Sequence, residues 1–428
     1  LVQQIISGLL ILAGVAIRSH GGADLTVGWF GSLTADLASG ELGAILILIG
    51  IGIKCAFPFL HTWLVDGYPE GTATGAVFLS GFTTKVAICT LVRTFAGSEV
   101  LITIGAVMAI FPIIYAVIEN DLRRTLSYSM INQIGFMVVG IGLGDAYGVN
   151  GAVAHAFNDV FFKGLLFMTM GAVLLRTGKT GGNELGGLYK SMPQTTGLCV
   201  IGAASISAFP LFSGFISKSL IMVSAAGHHE TVVYFLLLLA STGVVKHAGI
   251  KIPFFAFFAH DSKIRCEEAP LHMRIAMGIS ALMCVGIGCG GFLFLYKLLP
   301  LSFSEAVHQY TFAHIAEQMQ ILFFASLAFT VLYLKKIYPP EIPSVNLDAD
   351  WFYRKGWGVA NAVILGPIDR VGTYFSGLFL DRIPKQIAGM RPIEGATKRL
   401  DVNWMLSAPT LIVMVALLGF LVLNYSRQ

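Results

Sequence analysis

Apolar residues in this chain run in long unbroken windows rather than in short alternating stretches, and charged or turn residues separate one window from the next. Backbone N–H and C=O groups find no water in a hydrocarbon core, so a crossing segment must pair them internally; a helix of about 20 mostly apolar residues does this. Such windows lie near 2–17, 41–65, 72–96, 98–118, 122–143, 147–175, 194–226, 231–258, 273–297, 319–335 and 405–425. The pattern predicts an all-α polytopic membrane protein with about eleven transmembrane helices. The first window is short for a crossing. Several others are longer than a crossing needs, which predicts tilt, a break, or a helix that continues past the membrane surface.

Composition agrees with the pattern. The 428 residues are 55% hydrophobic and 12% charged with a mean hydropathy of +0.76, against roughly 25% charged in a soluble domain. A net charge of +4 is small for this length and offers no signal for nucleic acid. Cys55, Cys89, Cys199, Cys266, Cys284 and Cys289 are scattered without CxxC or paired spacing and read as small apolar filler. The chain opens on Leu1 without an initiating Met, and is expected to be incomplete at its N-terminus.

Loop charge predicts an orientation. Loops after the second, fourth, sixth and eighth windows hold Arg123, Arg124, Arg176, Lys179, Lys190, Lys263, Arg265 and Arg274, whereas the opposite loops hold only Arg18 and Arg93. The positive-inside rule makes the first set cytoplasmic. The long segment 337–404 falls on the same side and contains Asp350-Trp351-Phe352-Tyr353-Arg354-Lys355, a pattern suited to a headgroup boundary. Pro367, Pro384 and Pro392 predict interfacial helices joined by turns rather than one rod.

Ionisable residues at bilayer depth cost about 2.5–3.5 kcal/mol on insertion scales, so they tend to face a protein interior and to serve a function. Lys54 lies mid-window with Pro58 one turn later, an arrangement suited to a broken helix; Lys85 has a long apolar run on either side. His155, Asp159 and Lys163 recur every four residues on one helical face, either as a proton relay or as a self-satisfied structural network. Lys218 follows a second break at Pro210. Ser127, Ser129, Asn132 and Gln133 either carry bridging water or bond neighbouring helices. Lys246 is a further candidate, His247 a weaker one, and Lys251 before Pro253 is expected at the interface. His228, His229 and Glu230 read as a surface loop, since no third ligand stands at metal spacing.

Three motifs resemble one family. They are Lys54-Cys55-Ala56-Phe57-Pro58-Phe59-Leu60-His61-Thr62-Trp63-Leu64 with Asp66 and the Lys85 helix; Asp121-Leu122-Arg123-Arg124-Thr125-Leu126-Ser127-Tyr128-Ser129; and His155 through Phe162-Lys163-Gly164-Leu165-Leu166-Phe167. With Pro210 to Lys218 they resemble the antiporter-like membrane subunits shared by respiratory complex I and the multisubunit sodium/proton antiporters, especially the D-type subunit. The resemblance implies parts of two inverted five-helix repeats, each with a broken helix. Residues 1–97 would be the remainder of the first repeat, 98–260 the second, 261–300 a following helix and 301–428 a C-terminal extension with two more spans. It implies that Lys54 is the lysine of the first broken helix with Lys85 as its neighbour, that Lys218 ends the second, and that His155 and Lys163 lie between. Asp159 stands where relatives commonly have His, and Gly71-Thr72 replaces a usual Ala-Pro. Relatives also carry further N-terminal helices with a glutamate that pairs with the first lysine.

The expected function is proton translocation, or cation/proton antiport, along Lys54, Lys85, His155/Asp159/Lys163, Lys218 and Lys246, in a multi-pass subunit of a larger complex in a prokaryotic inner membrane. Expected partners are other membrane subunits, the bilayer and protons, with sodium as an alternative ion whose site would lie mostly outside this chain. A non-conducting scaffold is one competing reading. A subunit of a redox-linked complex is another. Within this chain no dinucleotide fingerprint, haem motif or iron–sulfur cysteine set is present, so no cofactor and no redox chemistry are expected.

Overall fold

The structure, a computed structural model, describes residues 2–22, 28, 30, 41–303, 309–343 and 346–360. These are helical almost throughout; among them the one β feature is an isolated bridge between Asp121 and Gly181. Among the described residues, eight helices are long and apolar enough to cross a membrane. They are α1 (Val2–His20), α4 (Gly75–Phe95), α5 (Glu99–Ile118), α6 (Leu122–Leu143), α7 (Ala146–Thr177), α10 (Thr231–Phe258), α11 (Leu271–Lys297) and α12 (Phe312–Leu334). The predicted windows 41–65 and 194–226 each resolve into two half-helices: α2 (Leu42–Lys54) and α3 (Thr62–Glu70), then α8 (Pro193–Ile206) and α9 (Ser213–Gly227). The window at 405–425 and the three prolines of the long segment lie outside the described residues. The chain divides into two compact units, Leu1–Trp351 and Phe352–Gln428. The short helix α13 (Asp350–Ala360) supplies all that is described of the second.

The two breaks are built alike. Each contains Ala-Phe-Pro, with positive φ at the alanine (Ala56, 59°; Ala208, 58°) and at the residue after proline (Phe59, 67°; Leu211, 73°). Backbone bonds repeat as well: Cys55 N–H to Ile51 and Ser207 N–H to Ala203, Phe57 N–H to Gly52 and Phe209 N–H to Ala204. Proline cannot donate to the turn before it, and the chain answers with left-handed residues that cost about 1–2 kcal/mol each. The freed carbonyls find different partners. The Trp63 indole donates to Ile53 O at 2.8 Å, whereas the Lys218 ammonium donates to Ile206 O at 2.9 Å. Gly214 lets the second break close, since a Cβ there would collide with Ser205 O.

At the centre stands α6, whose apolar and polar residues are buried on all sides except at Arg124. It packs on α5, α7 and the breaks' second halves. A helix so enclosed carries little amphipathic pattern, which is why Ser127, Ser129, Asn132 and Gln133 stand in it without reaching lipid. Its contact with α5 is close at Gly105 and Gly135: a Cβ on Gly135 would lie 2.5 Å from Ala109 N. Small residues permit this backbone approach.

The basic loops gather on one face. Lys190 pairs with Asp261 at 2.8 Å, Arg176 with Glu267 at 3.3 Å, and Arg124 with Asp66 at 2.5 Å. Loops that the sequence assigns to a single side of the membrane are therefore bonded to one another.

Gly135→Leu should separate α5 from α6. Overpacking costs about 1–3 kcal/mol, and the expected result is a lower thermal midpoint for the detergent-solubilised protein, with the same substitution at the open Gly197 leaving it unchanged.

Candidate functional site: a buried polar axis

Charged and polar side chains follow one another through the middle of the first unit. Lys54, at the end of α2, donates to Gln4 Oε1 on α1 at 2.8 Å. The hydrogen-bond partner that α1 gives to Lys54 is thus a neutral amide. Lys85 is buried in α4 next to a π-helical turn, Leu79–Thr83, whose Ser80 carbonyl accepts from its ammonium at 2.8 Å. Its ion-pair partner is Asp159 on α7, wholly buried. Asp159 is therefore the counter-charge of Lys85.

One turn along α7, Lys163 donates to Ser129 Oγ of α6 at 2.8 Å. One turn the other way, His155 bridges two helices: Nδ1 lies 2.9 Å from Ser217 Oγ on α9, and Nε2 lies 3.0 Å from Gln133 Oε1 on α6. An amide oxygen only accepts, so Nε2 carries the proton in that contact and Nδ1 accepts from the serine hydroxyl when the ring is neutral. Gln133 continues to Asn132 Oδ1 at 2.6 Å, and Asn132 donates to Ala109 O. Ser127 only bonds back to Arg123 O at 3.0 Å. Of Ser127, Ser129, Asn132 and Gln133, two touch the axis, one anchors it and one is local.

Lys218, next to Ser217 on α9, combines the Ile206 carbonyl with the face of Phe136, 5.2 Å from the ring centre. An ammonium at the C-terminal end of α8 is favoured by the helix dipole. Beside it opens a cavity of about 150 Å³ whose lining includes Ser219, His314 and Glu317. Lys246 is half-buried and joins none of these pairs. Lys251, expected at the interface, is instead fully enclosed: it donates to Val117 O at 2.8 Å and Glu119 O at 2.5 Å and pairs with Glu341 at 2.9 Å. The segment after α12 folds back over this end of the bundle and makes burial possible, which residue spacing on one helix does not show.

The same segment supplies a residue that sequence reasoning missed. Asp348 accepts from His61 Nε2 at 3.1 Å and from the Tyr128 hydroxyl at 2.7 Å, so it ties the segment to the first break and to α6. Burial alone would raise its carboxyl, but the hydrogen bonds from His61, Tyr128 and the Ala349 N–H hold it below the ordinary carboxylate range.

These helices define a polytopic all-α membrane fold, and the chain belongs to the family described as "NADH:quinone oxidoreductase/Mrp antiporter, TM", which matches residues 2–245. Among curated relatives it is 28% identical over 288 residues to hydrogenase-4 component B of Escherichia coli, covering 59% of this chain and 43% of that one. It is 29% identical over 340 residues to NADH-ubiquinone oxidoreductase chain 5 of Arabidopsis thaliana, covering 73% and 49%. The chain spans about half the length of the curated relatives it matches, or less. Among solved structures, a chain of the membrane-bound sulfane sulfur reductase, an archaeal respiratory membrane complex, aligns over 98% of this chain and 75% of its own at 20% identity and TM-score 0.63. A chain of the Mrp complex from Dietzia sp. DQ12-45-1b aligns over 68% and 64% at 19% identity and TM-score 0.62. These two likenesses show the fold.

Removing one partner of a buried ion pair costs about 3–5 kcal/mol, because the other charge is left without compensation. Asp159→Leu should therefore destabilise the detergent-solubilised protein strongly, and Lys85→Met in the same chain should restore much of the loss; thermal unfolding of the single and double variants checks this. A second outcome follows from Asp348. Its depressed pKa contributes stability that is present above the unfolded value of about 3.9 and is lost as pH falls through the folded value. Proteolysis of residues 335–349 should accordingly accelerate below about pH 4, and already at neutral pH in Asp348→Asn.

Proposed function

We propose that this chain translocates protons along the buried axis, as one subunit of a larger membrane complex and in the manner of a D-type antiporter subunit. The observation that carries the reading is the series of buried titratable side chains set between the two helix breaks, each held by a neighbouring helix. Lys54 stands at the first break, the Lys85–Asp159 pair, Lys163 and His155 lie between, and Lys218 caps the second. Each contact joins a different pair of helices, so a small shift of one half-helix changes which charge a lysine faces. Neighbouring charge and hydration are the forces that move a lysine's proton affinity. His155, held by Gln133 and Ser217, offers a proton acceptor and donor in line with that sequence.

The Lys85–Asp159 pair acts in this scheme as a switch: paired, Lys85 stays charged; separated, it releases its proton toward Lys163. Lys218 delivers to the cavity with His314 and Glu317, on the side opposite the basic loops. Residues 98–260 serve as the second repeat. The energy comes from another subunit, through a redox reaction or an opposing ion gradient, and the host is a prokaryotic inner membrane. Sodium, if exchanged, binds mostly outside this chain, because lysines offer no oxygen ligand and Asp159 is committed to Lys85.

Lys218→Ala, in the chain assembled in its native complex, should abolish proton movement in everted vesicles while the complex still assembles. Undiminished proton movement would remove Lys218 from the path and with it this reading.

A further inference from the structure

Three buried titratable groups stand beside the axis without belonging to it. His247 lies in a π-helical stretch of α10, Val245–Ile250, and Lys251 follows four residues later on the same face. π-Helical turns inside α-helices are frequent at functional sites. His247 is completely buried. Its ring leans on the Gly243 carbonyl, yet neither nitrogen reaches hydrogen-bond geometry with a described residue. Buried imidazole nitrogens without partners are rare and call for water or a transient donor. The π-helical stretch that carries His247 packs on α6, whose Ser129 accepts from Lys163, and on α8, whose Ile206 carbonyl accepts from Lys218, so the ring stands beside the axis while Lys251 follows it toward Glu341.

Glu341 comes from the segment that folds back after α12. Its carboxylate is enclosed, and the residue forms part of the wall of a cavity of about 670 Å³ on the basic face, together with Lys336, His260 and Tyr338. Glu119 stands behind Lys251 and is held by Asn346 at 3.0 Å and by Arg124 at 3.8 Å. The arrangement is a cavity, an acid, an ammonium and an unpartnered imidazole in order, leading inward to Lys163.

We propose that Glu341, Lys251 and His247 form the branch by which protons enter the axis from the basic face, with Lys163 as its end. The inference rests on the translocation reading above and assigns its entry side. A proton taken by Glu341 neutralises the carboxylate that holds Lys251 charged. Lys251 then passes a proton through His247 and water to Lys163, and Glu341 reprotonates it, restoring the pair with one proton moved inward. Burial pushes the Glu341 carboxyl up and the Lys251 ammonium pulls it back, Glu119 adding a smaller upward push, to about 7. The acid is thus half-loaded near neutral pH. The charged and titratable groups around this exchange are Lys251, Glu119, Arg124, Tyr338, Lys336 and His260.

The test uses the native complex reconstituted in liposomes, with proton flux read by a pH-sensitive dye while pH is varied on the basic face alone. The wild-type rate should titrate near the Glu341 value of about 7. Glu341→Gln should lower it about tenfold or more and remove that titration, and Glu341→Asp should restore the titration at a shifted midpoint. A merely structural role for Glu341 would not move the midpoint. Should Glu341→Gln fail to assemble, the midpoint of Glu341→Asp decides: a shift supports the branch and an unshifted midpoint overturns it. If Lys218→Ala stops flux but Glu341→Gln leaves rate and profile unchanged, the entry branch is wrong and translocation stands. If Lys218→Ala leaves flux intact, both fall.

Discussion

The ion pair between Lys85 and Asp159 is the interaction that the rest of this bundle accommodates. Neither charge can stand in hydrocarbon uncompensated, so the two helices that carry them, α4 and α7, must meet, and the remaining elements must close around the contact. The enclosed α6, buried everywhere but at Arg124, is the result: it fills the space beside the pair with hydroxyl and amide groups that reach Lys163 and His155. Outward-facing helices such as α11 and α12 keep their apolar residues for lipid.

The two breaks provide what a continuous bundle lacks, carbonyl ends at mid-depth. Their backbones share the same left-handed positions around Ala-Phe-Pro, yet the side chains that answer them differ. The first is capped by a tryptophan of its own second half and leaves Lys54 free to face α1; the second is capped by Lys218 itself. One backbone device therefore yields two electrostatic environments. The cation at the second break can report on the position of its half-helix, because moving α9 moves the ammonium off the Ile206 carbonyl.

The segment following α12 adds a layer that the bundle alone does not require. Asp348 and Glu341 reach inward to His61 and Lys251, so acidic groups from one stretch of chain meet a side chain of the first break and one of α10. A coupling between the first break and the basic end of α10 is built in by this stretch, through Tyr128 on one side and the Glu119 loop on the other.

Much of this was legible in the sequence, for a physical reason: a bilayer imposes length and apolarity on each crossing one residue at a time, so windows, breaks at Pro58 and Pro210, and buried cations can be read from local order. The family likeness followed from the same motifs. Partnership could not be read that way. Spacing placed His155, Asp159 and Lys163 on one face, yet the three turn to Gln133 and Ser217, to Lys85, and to Ser129, on different helices. Lys251 was expected at the interface and is enclosed, and Asp348 carried no local sign of its role, since its partners lie far away in the chain at His61 and Tyr128. The sequence by itself determined which segments cross the membrane and which charges must be hidden there. Only the tertiary structure decided whom each charge meets, because the cost of burying an ion is set by the groups that packing brings to it.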